Sequence, residues 1–252
     1  MSVQHSKERE SQLFICPAND TIAGQPLTNN ECLALVNKPQ KQHRSKEGEH
    51  GNLPDETMLS IGMKVMIMFN IQTDLDIANG SCGVIMGIAL QAGDEENAKD
   101  NDIVKLNQVP ACVLVKMDKT KVPLLEGLAE NVIPLTALER TFTVIHGSEK
   151  KTVIRKQLPL TPSYAFTDYR SQGQTIDAAI VDIVSPPTGR MSAFNLYVTL
   201  SRCRGRSSLC MLRNFDEKLV TRHPCEFLRL EDARLETLDK HTLRKWSGKE
   251  GL

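Results

Sequence analysis

The chain has 252 residues, 40% hydrophobic and 25% charged, the balance of an ordinary globular protein with room for one large core or two small ones. Lys plus Arg equals Asp plus Glu at 31 each, so the formal net charge is zero and any basic surface has to be local. Seven cysteines without a C-x-x-C pair argue against a disulfide framework or zinc site, and the polar start and lack of an 18-residue apolar run argue against a signal peptide and a membrane span.

Residues 1–57 read as poorly organised, with two exceptions. LFICP (13–17) has the length of a short strand, and Thr28 stands three residues before Glu31, the spacing of a capping box, which predicts a short helix over 29–37. KPQKQHRSKEGEHGN (38–52) is polar, charged and aperiodic, which predicts a mobile loop.

From 58 to 157 the texture is β. MKVMIMF (63–69), NGSCGVIMGIAL (79–90), ACVLVKM (111–117), RTFTVI (140–145) and KTVIRK (151–156) are strand candidates, and Asn79-Gly80 is a tight-turn signal. GDEENAKDND (93–102) reads as a surface loop. Short strands broken by polar turns, with no convincing helix between them, predict a small β-barrel.

After 157 the pattern becomes strand, helix, strand, the signature of a parallel α/β sheet. SYAFTDY (163–169) reads as a strand, SQGQT as a turn into a short helix and AAIVDIV (178–184) as a buried strand. GRMSAFNLYVTLSR (189–202) reads as a helix and SSLCMLRNF (207–215) as a further strand. Met191, Phe194 and Val198 fall at i, i+3 and i+7 and form the expected core face of that helix. This α/β part spans 158–225, and a C-terminal helix and tail occupy 226–252.

Three segments carry a resemblance. They are LSIGMKVMIMFNIQTDLDIANGSCGVIMG (59–87), LPLTPSYAFTDYRSQGQTIDAAIVDI (158–183) and FNLYVTLSRCRGRSSLCMLRNFD (194–216). In order and separation they resemble the Pif/RecD branch of superfamily-1 DNA helicases, including the helicase parts of Helitron-type transposons. The likeness runs over residues 53–220. The first segment is similar to the one that opens a small barrel inserted in the family's second RecA-like domain; the other two are similar to helicase motifs V and VI. The fold implied is α/β: a second RecA-like helicase domain, a parallel sheet with flanking helices, carrying a small inserted β-barrel.

The chemistry of such a motor suits these residues. ATP is hydrolysed between two RecA-like domains; one cradles the phosphates and the other supplies a cation to the transition state, an arginine finger worth roughly 10³–10⁵ in rate. Arg202 matches the motif VI arginine and is the catalytic candidate; as a plain helix residue it would only cap the C-terminus of its helix. Thr167, Tyr169, Arg170 and Ser171 match the DNA-facing residues of motif V, where polar side chains and turn amides bind backbone phosphates without reading bases. Gln172 and Gly173 match the part of the loop that turns toward the nucleotide. Two departures stand out. The family has His-Lys where this chain has Tyr169-Arg170, and an apolar residue where it has Asp168, an acid that would repel phosphate unless strand alternation turns it away. Gly62, Asn79, Gly80 and Gly83 read as turns and tight spots, with Asn70 and Ser81 as weaker candidates for a DNA contact.

No G-x-x-x-x-GK-(ST) phosphate loop occurs in the 252 residues. Asp216-Glu217 follows a strand as a Walker B pair does, but without that loop Asp216 is read as the cap of the next helix. The six histidines are scattered, with no metal-ligand spacing. The expectation is therefore the C-terminal motor portion of an ATP-dependent 5′–3′ DNA helicase, nuclear or otherwise intracellular, lacking the Walker A/B domain. ATP and Mg²⁺ would be bound mainly by the missing first RecA-like domain, and single-stranded DNA would be the partner. The alternative is a non-catalytic, transposon-derived remnant with weak single-strand binding.

Overall fold

The computed structural model describes residues 11–36, 53–97, 101–146, 149–171, 173–184, 191–221 and 225–247. The predicted loop at 38–52 and the candidate Gln172 lie outside the described residues. Two compact units divide between Phe166 and Thr167.

Unit 1 is built from strands. In chain order they are β1 (Leu13–Pro17), β2 (Asn19–Ile22), β3 (Gln25–Pro26), β4 (Glu56–Leu59), β5 (Lys64–Ile67) and β6 (Cys82–Ala89). There follow β7 (Ile103–Lys105), β8 (Cys112–Met117), β9 (Val132–Leu135), β10 (Leu138–His146), β11 (Glu149–Gln157) and β12 (Leu160–Pro162). A five-stranded antiparallel sheet has the order β12-β5-β6-β8-β9. In a three-stranded sheet β1 lies between antiparallel β4 and parallel β7, and an antiparallel sheet has the order β10-β11-β2-β3. The sequence predicts a β-barrel over 58–157, but the described strands pair as open sheets with no closed ring among them. Strands β5, β7 and β11 take partners from outside that span, namely β12, β1 and β2.

Alternation of side chains explains the core. In β8, Val113, Val115 and Met117 point inward while Cys112, Leu114 and Lys116 point away from the interior. They join Phe14, Leu59, Val65, Ile67, Ile85, Leu158 and Leu160 in one apolar cluster. Gly83 makes this packing possible, since a Cβ there would lie 2.6 Å from the Lys116 carbonyl oxygen. Asn70 and Ser81 serve the turn before β6: Asn70 Oδ1 accepts the Asn79 N–H at 3.0 Å, and Ser81 Oγ donates to the Asp76 carbonyl at 2.9 Å.

Helix α1 (Asn29–Val36) starts as its sequence predicts, with the Thr28 N–H and hydroxyl both donating to Glu31 Oε2, at 2.9 and 2.8 Å. The acidic stretch after β6 is more than a surface loop. It holds a helical turn, α2 (Asp94–Asn97), and Asp94 is buried, accepting the backbone N–H groups of Asn107 and Gln108. Hydrogen bonds from these donors offset part of the cost of taking the carboxyl group out of water.

Unit 2 is α/β. Strand β13 (Ala179–Val181), helix α3 (Ala193–Leu200) and strand β14 (Leu209–Met211) follow one another, and β13 and β14 pair in parallel. Helices α4 (Lys218–Thr221) and α5 (Glu226–Ser247) complete it. Val181, Ile183 and Leu196 form its buried core, with Met191, Leu209, Met211, Phe215 and Leu219 against them. Two expectations change. SYAFTDY is no strand: the strand is β12, just before it, and the chain then turns, with the Tyr164 hydroxyl accepting the Lys64 N–H at 3.2 Å. Of the predicted face, Val198 is buried and Met191 packs against the core, but Phe194 is 57% exposed and Leu196 is buried in its place, because the inward face is set by what packs on β13 and β14. Burying Leu196 and Val198 stabilises the unit by roughly 1.5–3 kcal/mol each. No helix among the described residues is long and apolar enough to cross a membrane.

Candidate functional site

The segment read as motif V folds as a short 3-10 helix over Asp168–Ser171 and then a turn. The Arg170 N–H donates to the Thr167 carbonyl at 3.0 Å and the Gln174 N–H to the Ser171 carbonyl at 3.1 Å. The Ser171 hydroxyl donates to the Asp168 carbonyl at 2.7 Å, and Gln174 Nε2 to the Arg170 carbonyl at 3.3 Å. Gly173 has φ of +77°, in the left-handed region where a side chain is strained, and a Cβ there would touch nothing within 4 Å. Glycine is required at this turn for its backbone conformation and not for lack of space.

Helix α3 begins with a capping box at Ser192. Ser192 Oγ accepts the Asn195 N–H at 3.2 Å, and Asn195 Oδ1 accepts the Ser192 N–H at 3.3 Å. Such a cap is worth about 1 kcal/mol. The other half of the Asn195 amide is used as well: its Nδ2 donates to Asp168 Oδ2 at 2.7 Å. The acid the family pattern lacks is thus turned onto the first turn of α3, whose dipole favours a negative charge.

At the far end of α3 the same segment is tied again. The Ile176 N–H donates to the Arg202 carbonyl at 2.8 Å, and Ile176 and Cys203 form a parallel bridge. The Arg202 guanidinium lies over its own helix end. Its Nε donates to the Val198 carbonyl at 3.1 Å, its Nη1 to the Gln174 carbonyl at 3.4 Å and its Nη2 to Ser201 Oγ at 2.9 Å. This is the helix-capping geometry, a cation at the negative end of the dipole. All three acceptors are neutral, and no carboxylate pairs with the guanidinium among the described residues.

The structure therefore brings Arg170, Ser171, Gly173 and Arg202 into one segment-and-helix assembly. Thr167 is exposed and Arg170 half-buried, with no ion pair to Arg170 among the described residues. Ser171 is buried and its hydroxyl points into the turn. The Tyr169 backbone belongs to the 3-10 helix. Arg204, two positions past Arg202, turns elsewhere and pairs with Asp177 through Nε at 2.7 Å, both side chains exposed. At the strand ends Arg213 bridges Asp182 through two bonds, 3.0 and 2.7 Å. The hydrogen bonds from Arg213 hold the Asp182 carboxyl below its usual range. Asp216 Oδ1 accepts the Lys218 N–H at 3.0 Å, the capping role expected of it. No group of three or more His, Cys, Asp or Glu side chains suited to a metal occurs among the described residues.

Asn195 and Ser192 were not singled out from the sequence as functional. The signal was present: Ser192-x-x-Asn195 has capping spacing and marks the start of α3 three residues inside the predicted helix.

No protein-family model matches the chain. Curated relatives include the ATP-dependent DNA helicase PIF7 of Trypanosoma brucei brucei, 26% identical over 182 residues, which make up 71% of this chain and 18% of that protein. The ATP-dependent DNA helicase Pif1 of a Psychrobacter species is 28% identical over 186 residues, 63% of this chain and 26% of that protein. An uncharacterised protein, 030L, of Invertebrate iridescent virus 6 is 27% identical over 197 residues, 68% of this chain and 36% of that protein. The chain thus spans well under half the length of these relatives. Among solved structures, the Pif1 helicase of Candida albicans superimposes with a TM-score of 0.55 at 19% identity, over 92% of this chain and 46% of that one. The Bacteroides Pif1 helicase in complex with ADP-AlF3 and ssDNA gives 0.51 at 17% identity, over 94% and 42%. The mixed α/β fold resembles that of Pif1 helicase domains.

Proposed function

We infer that this chain, whose homologues are Pif1-type ATP-dependent DNA helicases of superfamily 1, acts as the second motor domain of such a helicase. The observation that carries this is the double tie between the 167–176 segment and α3. Asp168 bonds Asn195 at one end of the helix, and Ile176 bonds Arg202 at the other. A motor must convert a change at ATP phosphates into a change at DNA, and a turn fastened to both ends of the helix that carries the finger is a rigid way to link them.

In this reading β13, α3 and β14 belong to the RecA-like core, and the sheets around β5 and β6 correspond to the family's inserted barrel. The phosphate loop and the Mg²⁺ ligands belong to a first RecA-like domain acting with this chain, since the 252 residues contain no such loop. ATP with Mg²⁺ supplies the phosphoryl-transfer chemistry when bound there. Arg202 approaches from this side. It exchanges the neutral acceptors Val198 and Gln174 for phosphate oxygens, which bind a guanidinium more strongly because they are charged. Thr167 and Arg170 grip the single strand, Ser171 holds their turn and Gly173 serves the nucleotide side of the loop, while Tyr169 and Gln172 keep the DNA and nucleotide roles that their motif positions imply. Translocation runs 5′ to 3′, as in the family.

A second reading has one observation in its favour: the Arg202 guanidinium rests on its own helix end. In that reading the chain is a single-strand binder without turnover.

The test is direct. The purified chain should bind a fluorescein-labelled oligothymidylate weakly and without regard to sequence, with a salt slope of about −0.7 per phosphate contact. Arg170→Ala should remove one contact. The 252-residue chain alone should show no DNA-stimulated ATP turnover, and turnover above a no-protein control would overturn the division of labour between two domains. Binding that ignores salt would overturn the single-strand face.

A further inference from the structure

The acid at position 168 is the least expected residue in the turn. A carboxylate facing a phosphate backbone would oppose binding, and Arg170 stands only two residues away. The geometry answers this locally. The Asp168 carboxylate accepts from Asn195 Nδ2 at 2.7 Å, while the Asp168 carbonyl accepts from Ser171 Oγ at 2.7 Å. Side chain and main chain of one residue therefore join two elements, the first turn of α3 and the 3-10 helix that ends at Ser171. Asn195 is itself fixed by the Ser192 capping box, so it offers the acid a donor whose direction is already set. A charge-assisted bond of this kind is shorter and stronger than a neutral one.

We propose that Asp168 is a positioning residue, a latch that holds the turn bearing Thr167 and Arg170 against the N-terminal end of α3, so that the strand-facing turn and the helix ending at Arg202 move as one piece. The pair also keeps the negative charge off the single strand. The latch rests on the reading of this turn as the single-strand face. Its chemistry separates two roles for the acid. If Asp168 works as an acceptor for Asn195, an asparagine can replace it, because a carboxamide oxygen still accepts. If Asp168 acts by its charge on phosphates, removing that charge strengthens binding whatever replaces it.

The experiment measures oligothymidylate binding by the 252-residue chain across a salt series for wild type, Asp168→Asn, Asp168→Leu, Arg170→Ala and the Asp168→Leu/Arg170→Ala double variant. Thermal unfolding is followed in parallel. Asp168→Asn should stay within about twofold of wild type, and Asp168→Leu should weaken binding about tenfold, the scale of one lost hydrogen bond. Asp168→Leu should also lower the salt slope by about 0.7, one phosphate contact. The double variant should bind no more weakly than Arg170→Ala, since both changes remove the same contact. Tighter binding by both Asp168 variants would overturn the latch, as would a weaker Asp168→Leu whose salt slope is unchanged, the mark of a general loss of stability. If wild type binds no oligothymidylate, the single-strand reading falls, and amide exchange then decides the latch by itself. Faster exchange at the Arg170 and Gln174 N–H groups in Asp168→Leu, but not in Asp168→Asn, supports it; equal exchange in all three overturns it.

Discussion

Asn195 Nδ2 donates to Asp168 Oδ2 at 2.7 Å, across 27 residues of chain. From the sequence, Asp168 is a charge that strand alternation has to point away from DNA. In the structure the segment is not a strand, and alternation has no part in the outcome. A 3-10 helix at Asp168–Ser171 sets the direction of the side chain, and a helix that starts at Ala193 supplies the donor. The odd residue in the turn and the unremarked Asn in the next helix account for each other.

Arg202 and Arg204 are two positions apart and have different surroundings, which gives a paired test. When the chain is combined with a first motor domain, Arg202→Ala should reduce ATP turnover by about 10³ or more and leave ATP binding little changed. Arg202→Lys should not restore it, since an ammonium lacks the planar fork that fits two phosphate oxygens. Arg204→Ala loses only an exposed pair with Asp177 and should lower turnover modestly. The reverse pattern in single-turnover assays would show that motif VI is misplaced.

Gly83 sits at a close approach between β6 and β8. An added Cβ would stand 2.6 Å from the Lys116 carbonyl oxygen and 2.7 Å from Val115 Cγ1, and the first of these is backbone that cannot swing aside. Gly83→Ala should destabilise the protein by about 1–3 kcal/mol, read as a lower urea midpoint. The nearby Gly87, whose added Cβ would meet only Leu114 side-chain atoms at 3.5 Å or more, is the control and should tolerate alanine far better.

Arg155 is buried between β2 and the start of β4. It forks onto Asp20 through Nε and Nη2 at 2.8 and 2.7 Å, reaches Asp55 and the Leu53 carbonyl with Nη1, and stacks over Phe142 at 5.1 Å. Arg155→Leu should cost about 3 kcal/mol, because it removes the buried cation that the half-buried Asp20 pairs with. Asp55, whose side chain is 87% exposed, should be replaceable by Ala for less than about 1 kcal/mol. Equal losses in chemical denaturation would mean that the exposed Asp55 contact carries as much as the whole Arg155 network.

Glu31 carries the pH dependence of α1. The Lys151 ammonium, donating at 2.8 Å, and the Thr28 N–H and hydroxyl hold its carboxyl down to about 2, against an ordinary value of 4.5. A folded-state value below the unfolded one stabilises the folded state at pH above the ordinary value, and the stabilisation is lost as pH falls toward about 2. The Cys32 N–H, which bonds the Thr28 carbonyl, should therefore exchange faster as pH falls through that window, after correction for the intrinsic rate. In Glu31→Gln the corrected rate should be flat with pH.

The features legible in the sequence are those that a few neighbouring residues decide. LFICP is a strand over its predicted span, Thr28 and Glu31 cap a helix, and a strand, a helix and a parallel strand follow one another after residue 178. Period-two alternation, capping spacing and the order of three motifs need no knowledge of the rest of the molecule, and the motif order alone was enough to lead to the Pif1 helicases. Tertiary structure decided the rest. It drew β12, β1 and β2 into the sheets of β5, β7 and β11, and the strands between 58 and 157 pair in open sheets. It turned Phe194 outward and Leu196 inward, because the face of a helix with apolar residues on several sides is chosen by what packs against it. It also set the direction of the Asp168 carboxylate and laid Arg202 on the Val198 carbonyl at the end of α3. Side-chain direction at a turn depends on donors and acceptors brought close only by folding, and no local pattern in the chain encodes where they will be.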